Sequence, residues 1–265
     1  MTPEKLIKRE AKESLRGNLP AAVGATITIM MSFMAVLLLS STLASFITIL
    51  LQNADSNFIY DNPLIIIGIY FLLTVAGFIF TLPLVMGLVR LSYLVAKESY
   101  CHYSQVFYYL KKNRYFSSLG FYLRLILKNF WQAMVSFFPG LMCLLVTATN
   151  AVGKEQLAIS DNIWYYISYA LIFAGIILFS YLSENSFLAI YYYIEGKFSF
   201  THLNFAFSEI KMKRCRKSYV KLNTSLLPVM LSCILVIPCL FAIPYITVTQ
   251  ATSAKWIIAL SDKDE

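Results

Sequence analysis

Four polar residues interrupt apolar stretches of the sequence, at positions where a charge is costly unless a partner offsets it. Arg124 and Lys128 are four residues apart and therefore share one face of a helix. Glu184 and Asn185 lie in the next apolar stretch. If the two stretches are neighbouring helices, the basic pair and Glu184 lie at similar depth. We predict a polar intramembrane site there, for an anionic headgroup, a peptide or an ion.

An alternative interpretation places these charges at the edge of the membrane. Each of the two apolar stretches is longer than the roughly 20 residues that cross a bilayer. Charged side chains near the end of such a helix reach the interface by snorkelling. In that case Arg124, Lys128 and Glu184 mark the inner boundary of the membrane.

A second set of candidate residues consists of basic side chains in two loops that also carry aromatic residues. Basic residues near a membrane surface gain about 1 kcal/mol each from anionic lipid. The same charges also act as ordinary signals of membrane topology. We predict contacts with anionic lipid for Lys111, Lys112, Arg114, Lys211, Lys213, Arg214, Arg216 and Lys217.

Enzyme motifs are missing from the sequence. It contains no P-loop, no His-Glu-x-x-His, no Gly-x-Ser-x-Gly and no dinucleotide-binding fingerprint. The two histidines, His102 and His202, are far apart, and the five cysteines lack the spacing of metal ligands. We therefore expect a protein that is not an enzyme, with no catalytic residues, no cofactor and no metal site.

The composition is typical of a membrane protein. Of the 265 residues, 58% are hydrophobic and 14% are charged, whereas a soluble domain carries about 25% charged residues. A net charge of +8 would suggest a nucleic-acid partner in a soluble protein. In a membrane protein, lysine and arginine gather in cytoplasmic loops instead. We therefore expect the lipid bilayer, with its anionic lipids, as the partner, and no nucleic acid.

The apolar stretches predict an all-α fold, a polytopic transmembrane helix bundle that forms a single integral-membrane domain over residues 1–265. The predicted spans number about six and cover residues 21–51, 63–96, 116–152, 163–194, 218–237 and 240–260. Pro83 with Gly87 predicts a bend in the second span, and Pro139 with Gly140 predicts one in the third.

Amphipathic helices are predicted on the cytoplasmic side of the membrane. Residues 1–18 place Ile7, Ala11 and Leu15 on one face and basic residues on the other, and Gly17 is suited to end this helix. Two more interfacial helices are expected in the basic loops, at residues 104–110 and 200–210.

The last apolar stretch, residues 218–260, decides the number of spans. As a helix it would be about 65 Å long, roughly twice the hydrocarbon core of a bilayer. Pro238 and Pro244 lie near its middle, where two spans would turn. Six spans place both termini in the cytoplasm, in agreement with the basic loops. The alternative is one bent span over residues 218–249, which leaves the C-terminus outside.

Several stretches together carry a resemblance to a known family. They are Ala11–Asn18, Leu82–Gly87 followed by Phe107, Phe138–Gly140, and the segment from Lys211 through Ile243–Ile246 to Thr249 and Ala251. In their order and spacing, the sequence resembles the bacterial integral-membrane family called domain-of-unknown-function family 975. An extra stretch of about twenty residues after Gly140 departs from the family pattern. The resemblance implies a six-span protein of the bacterial cell membrane and names no activity and no site residue.

These observations lead to three hypotheses about function. The first is a non-enzymatic accessory or transport-related membrane component that binds lipid, partner helices or a second copy of itself. The second is a small-solute permease, either self-contained or dimeric, although the sequence shows no inverted repeat. The third and least supported is an intramembrane enzyme, because Glu184 alone comes near to a buried catalytic group.

Overall fold

A computed structural model gives the structure of the chain and describes residues 2–54, 63–98, 100–151, 159–196, 203–232 and 236–261. Every regular element within these ranges is helical, so the all-α prediction is confirmed for them. The elements are α1 (Pro3–Ala54), α2 (Pro63–Lys97), a 3-10 helix (Tyr103–Leu110), α3 (Lys112–Ala151), α4 (Ile159–Ile194), α5 (Leu203–Ser232) and α6 (Val236–Ser261).

Three helices, α1, α2 and α3, are long and apolar enough to cross a membrane, judged by length and composition over the described residues. A shorter apolar helical segment, Ile163–Phe179, lies within α4. In the most apolar windows of α1, α2 and α3, only 11, 6 and 17% of the residues are buried inside the protein. Most of this apolar surface is therefore left for lipid, which fits a protein embedded in a membrane.

The chain divides into two compact units, Met1–Gly120 with Leu222–Glu265 and Phe121–Lys221. In the first unit, α1, α2, the 3-10 helix and α6 surround one apolar core. Small residues on α1 let these helices approach closely, because an alanine side chain adds little width. The buried members of this core are Ala11, Leu15, Ala22, Ala25, Ile29, Leu88, Leu91, Val95, Cys101, Val106 and Val248.

Helix α1 differs from its prediction, because it continues through Gly17 and Pro20 and does not end there. A proline inside a helix removes one backbone N–H, and the chain can absorb that loss where neighbouring contacts hold the helix in place. Asn18, which is 2% exposed, supplies such a contact: its Oδ1 accepts the backbone N–H of Cys101 at 2.8 Å. The predicted separate helix over residues 1–18 is therefore wrong.

The apolar stripe predicted near the N-terminus exists, but it faces the protein interior. Ala11 and Leu15 belong to the main core of the first unit. Ile7 packs in a smaller cluster with Leu222 and Leu226. The stripe is thus covered by other helices. The prediction that it lies against a membrane surface is wrong.

The predicted interfacial helix at residues 104–110 is a 3-10 helix that packs into the first unit. Val106 is fully buried, and its backbone lies so close to Gly87 that a Cβ atom added there would overlap with the Val106 carbonyl. Tyr103 contacts Gly24 and forms a hydrogen bond with Thr28. Gly87 therefore allows the 3-10 helix to pack directly on α2. Helix α2 continues past Gly87 to Lys97.

The second unit contains an antiparallel pair formed by α3 and α4. Contacts run in opposite directions along the two helices: Phe121 stacks on Tyr193 with ring centroids 4.4 Å apart, and Ser186 Oγ donates to Asn129 Oδ1 at 3.0 Å. Helix α3 passes through Pro139 without ending. A Cβ added at Gly140 would lie 2.9 Å from the backbone nitrogen of Ile172, so this glycine allows the close approach of α4.

Gly175 gives the sharpest test of this helix pair. A Cβ at Gly175 would overlap with the backbone carbonyl of Ser136, which cannot move as a side chain can. We expect Gly175→Ala to lower the free energy of unfolding by about 1–3 kcal/mol through overpacking. Thermal unfolding in detergent measures this effect, and an unfolding temperature equal to that of the wild type would contradict the packing described here.

The final apolar stretch forms parts of two helices, α5 and α6. Helix α5 is described as far as Ser232 and α6 from Val236, with residues 233–235 outside the described residues, and the chain does not turn at Pro238 and Pro244 as predicted. Both prolines lie within α6. Pro238 is the third residue of that helix, where a missing N–H costs nothing. The predicted interfacial helix at residues 200–210 is, from Leu203 onward, the first part of α5.

Candidate functional site

Two arginines of the first unit lie against one aromatic ring. The guanidinium carbon of Arg90 is 3.7 Å from the centroid of the Tyr108 ring, and that of Arg114 is 3.9 Å from it. Two guanidinium groups this close to one centroid would overlap on a shared face, so they occupy opposite faces. We call this arrangement the arginine stack. Each contact gains roughly 0.5–2 kcal/mol from the attraction between a cation and a π-system.

Three elements position the arginine stack. Arg90 comes from α2, Tyr108 from the 3-10 helix and Arg114 from the first turn of α3. Gln105 orients Arg90 by accepting its Nε–H at 3.3 Å. The Val106 contact with Gly87 fixes the 3-10 helix on α2, so the position of the Tyr108 ring depends on it.

Neither arginine of the stack forms an ion pair with a carboxylate in the part of the chain that the structure describes. Ion pairs formed by other described residues include Arg9–Glu13 and Lys255–Glu10. Lys111, one residue after the 3-10 helix, is exposed and adds a third positive charge nearby. Such a group of cations at the end of an apolar helix is suited to bind an anion.

The predicted lipid-contact residues fall into two groups. Arg114 belongs to the arginine stack, and Lys111 is its exposed neighbour. Lys217 is exposed on α5. The backbones of the others are helical, but their side chains lie outside the described residues: Lys112, Lys211, Lys213, Arg214 and Arg216. Arg90, Gln105 and Tyr108 were not predicted, because no local pattern links residues 90, 105, 108 and 114.

The predicted intramembrane site lies in the second unit, where a polar row follows α3. Arg124, Lys128, Gln132 and Ser136 are spaced by four residues. A row with this spacing drifts slowly around a helix, because four residues turn slightly more than one full circle. Arg124 is exposed, Lys128 and Gln132 are half-buried, and Ser136 is 4% exposed. The row therefore leads from the surface of the unit to the α3–α4 contact.

The predicted pairing of Arg124 and Lys128 with Glu184 requires these residues to lie at the same level of the helix pair. The contacts Asn129–Ser186 and Ser136–Gly175 place the backbone of residue 184 level with that of Phe130, within one turn of Lys128. The structure thus brings the backbones of residues 128 and 184 to within one helical turn of the same level. The side chains of Glu184 and Asn185 lie outside the described residues, so their pairing with Arg124 and Lys128 stays a prediction.

Two oxygen atoms at the deep end of the polar row are buried. Gln132 Oε1 and Ser136 Oγ are shielded and have no hydrogen-bond partner among the described atoms. A buried polar group without a partner costs about 1–3 kcal/mol. The α3–α4 contact is therefore a place where water or a polar solute gains hydrogen bonds.

A polar cluster near the ends of three helices was not foreseen from the sequence. Lys255 Nζ donates to Glu10 Oε1 at 2.7 Å and to the Ala96 carbonyl at 2.9 Å. Trp256 Nε1 donates to the second Glu10 oxygen at 2.7 Å. We call this cluster the Glu10 clip. It joins α1, α2 and α6, and it uses both carboxylate oxygens and a carbonyl that the end of α2 leaves without a helical partner.

Cys101 lies between α2 and the 3-10 helix and is buried. Burial, with a contribution from Glu98, raises the pKa of its thiol, and Arg90 opposes this shift. Because the thiolate is the reactive form, we expect Cys101 to react with maleimide more slowly than a free cysteine at pH 7.5, and faster as the pH rises. A variant with Cys101 as the single cysteine allows the rate to be measured, and denaturation should abolish the difference. A native rate equal to the denatured rate would contradict the buried position.

Comparison with known proteins gives no information about the function of these residues. Searches against protein-family models, curated proteins and solved structures find no match to the chain. Over the described residues, no group of three or more His, Cys, Asp or Glu side chains is arranged to hold a metal ion. The functional proposal therefore rests on the arginine stack, the polar row and the apolar helices.

Proposed function

We propose that the chain is a non-enzymatic, multi-pass component of the bacterial cell membrane that binds anionic lipid through the arginine stack. The observation that carries this proposal is the pair of guanidinium groups held on Tyr108 without a carboxylate partner among the described residues. Guanidinium groups form strong bidentate hydrogen bonds with phosphate. Arg90 lies in the last two turns of apolar α2, and the ends of membrane-spanning helices are where lipid headgroups are expected.

The proposed topology has six spans, with both termini in the cytoplasm. Its support is the alternation of basic and weakly charged loops, together with the length of the final apolar stretch. Membership of domain-of-unknown-function family 975 is part of the same proposal. Its support is the order and spacing of the sequence motifs, among them Leu82–Gly87.

Lipid-dependent stability tests the proposed function. We expect phosphatidylglycerol, added to the purified protein in detergent, to raise its unfolding temperature by about 3–8 °C relative to phosphatidylcholine. Mass spectrometry of the gently purified protein identifies any partner protein or second copy in the same preparation. Equal unfolding temperatures in the two lipids would overturn the lipid-binding function.

The small-solute permease is a second candidate function, and the polar row favours it. A solute pathway needs hydrogen-bonding groups inside the protein, and Gln132 and Ser136 place two buried oxygens at the α3–α4 contact. Six spans are few for a transporter without an inverted repeat, so a dimer would have to complete the pathway.

Cysteine accessibility tests this second candidate. In a variant free of native cysteines, a permease should let a water-soluble methanethiosulfonate reach Ser136→Cys. Val135→Cys is the matched control, because Val135 is 61% exposed on the apolar surface, where a thiolate does not form. If Ser136→Cys reacts no faster than Val135→Cys in membranes, the pathway is closed to water and the permease is excluded.

A further inference from the structure

The geometry of the arginine stack points to a specific ligand, a lipid headgroup that carries two phosphates. This inference rests on the proposed binding of anionic lipid and goes one step further by naming the lipid class. It follows from the distance between the two guanidinium groups, from the ring that separates them and from the charges around them.

The distance between the two guanidinium groups is set by Tyr108. Because the groups lie on opposite faces, their carbon atoms are up to about 7.6 Å apart, the sum of their distances from the ring centroid. One phosphate is too small to form bidentate hydrogen bonds with both groups across a ring. Two phosphates joined by a three-carbon linker, as in diphosphatidylglycerol, have a spacing of this order.

The Tyr108 ring also prevents the two guanidinium groups from binding the same anion. Each guanidinium group lies against its own face of the ring, so the ring stands between the two sets of N–H donors. Arg90 is further held by Gln105 at its Nε, which leaves its terminal N–H groups for a ligand. The stack therefore offers two separate forks of donors.

The charge balance favours a ligand with two negative charges. Arg90 is half-buried and Arg114 is exposed, and among the described residues neither forms an ion pair with a carboxylate. A lipid with one phosphate neutralises one guanidinium group and leaves the second, like-charged group uncompensated. A lipid with two phosphates neutralises both. Basic pockets at the inner membrane surface bind headgroups of this kind.

Binding at equal phosphate concentration tests the inference. The full-length protein is titrated in detergent with diphosphatidylglycerol and, separately, with phosphatidylglycerol at the same total phosphate. We expect the dissociation constant per phosphate to be about tenfold lower for diphosphatidylglycerol, equivalent to roughly 1.4 kcal/mol. Inorganic pyrophosphate, whose phosphates are adjacent, should not displace the bound lipid. Displacement by pyrophosphate at matched concentration would overturn the spacing argument.

The outcomes separate this inference from the proposed function. Equal affinity for the two lipids per phosphate would overturn the two-phosphate inference and leave the anionic-lipid function standing. If the protein bound neither lipid, the two-phosphate inference and the proposed lipid-binding function would both be overturned. A preference for diphosphatidylglycerol supports both.

Variants of the arginine stack show whether the preference arises there. Tyr108→Phe keeps the ring and should keep the preference, whereas Tyr108→Leu should remove it. Arg114→Lys keeps the charge but loses the planar fork, and it should also remove the preference even if Tyr108→Leu does not fold. Lys111→Gln is the matched control, because it should weaken the binding of both lipids equally and leave the preference unchanged. A preference that survives Arg114→Lys would overturn the assignment to this stack.

Discussion

Replacing Gly87 with alanine is expected to displace the 3-10 helix and to destabilise the first unit by about 2–3 kcal/mol. The new methyl group would overlap with the backbone carbonyl of Val106, and no side-chain rotation relieves a contact with backbone. Because Tyr108 is on the same short helix, the arginine stack should also be disturbed. Thermal unfolding and lipid titration of Gly87→Ala measure these two effects.

Gly68→Ala is the matched control for this experiment. Gly68 is also in α2, and a Cβ added there has no atom within 4 Å. Replacement of a helical glycine at an open position should be neutral or stabilise the protein by up to about 1 kcal/mol. If Gly87→Ala were as stable as Gly68→Ala, the close packing of Val106 on α2 would be wrong.

Replacing Glu10 with alanine is expected to loosen the C-terminal part of α6. The change removes the acceptor for both Lys255 and Trp256 and leaves Lys255 bound to the Ala96 carbonyl alone. The ion pair is about one-third exposed, so solvent screening limits its contribution. We expect a loss of about 1–2 kcal/mol, seen as faster hydrogen exchange of residues 250–261.

Glu13→Ala is the control for the Glu10 clip. Glu13 lies one turn further along α1, and it pairs with Arg9 on an exposed surface, with both side chains about two-thirds exposed. Its replacement should leave hydrogen exchange in α6 unchanged, because exposed pairs of this kind contribute little. If Glu10→Ala and Glu13→Ala had the same effect on α6, the clip would not hold that helix.

The sequence predicted the helical class because the signal for a helix in a membrane is local. The predicted second span, residues 63–96, is α2 to within one residue, since a continuous apolar run defines both ends. The predicted break after Gly17 failed because that argument considered only local preferences. Contacts of Asn18 with Cys101 and of the Ile7 stripe with α5 act over long distances in sequence and keep α1 continuous.

The candidate sites show the same division between local and long-range information. Arg124 and Lys128 were recognised because charge inside an apolar run is visible in one segment. The register of α3 and α4 then placed residue 184 within one turn of Lys128. Arg90 and Tyr108 were missed as a site, although Arg114 and Lys111 were predicted. A cation next to an aromatic ring on another helix leaves no periodic signal in the sequence.

The arginine stack connects the fold with the proposed function. Gly87 allows the 3-10 helix to seat on α2, and that seat presents Tyr108 between Arg90 and Arg114. If α1, α2 and α3 cross the membrane as proposed, their large unburied apolar surfaces would bring this group close to lipid. A change that moves the 3-10 helix should therefore change lipid binding, even where it leaves every basic residue in place.

The most direct measurement is the number of anionic lipid molecules that the purified protein retains, counted by native mass spectrometry. We predict that the wild type retains anionic lipid and that Arg90→Gln combined with Arg114→Gln loses it. Lys5→Gln combined with Lys12→Gln removes the same charge from exposed positions on α1 and should retain the lipid. If the double arginine variant retained as much anionic lipid as the wild type, the arginine stack would not be the binding site.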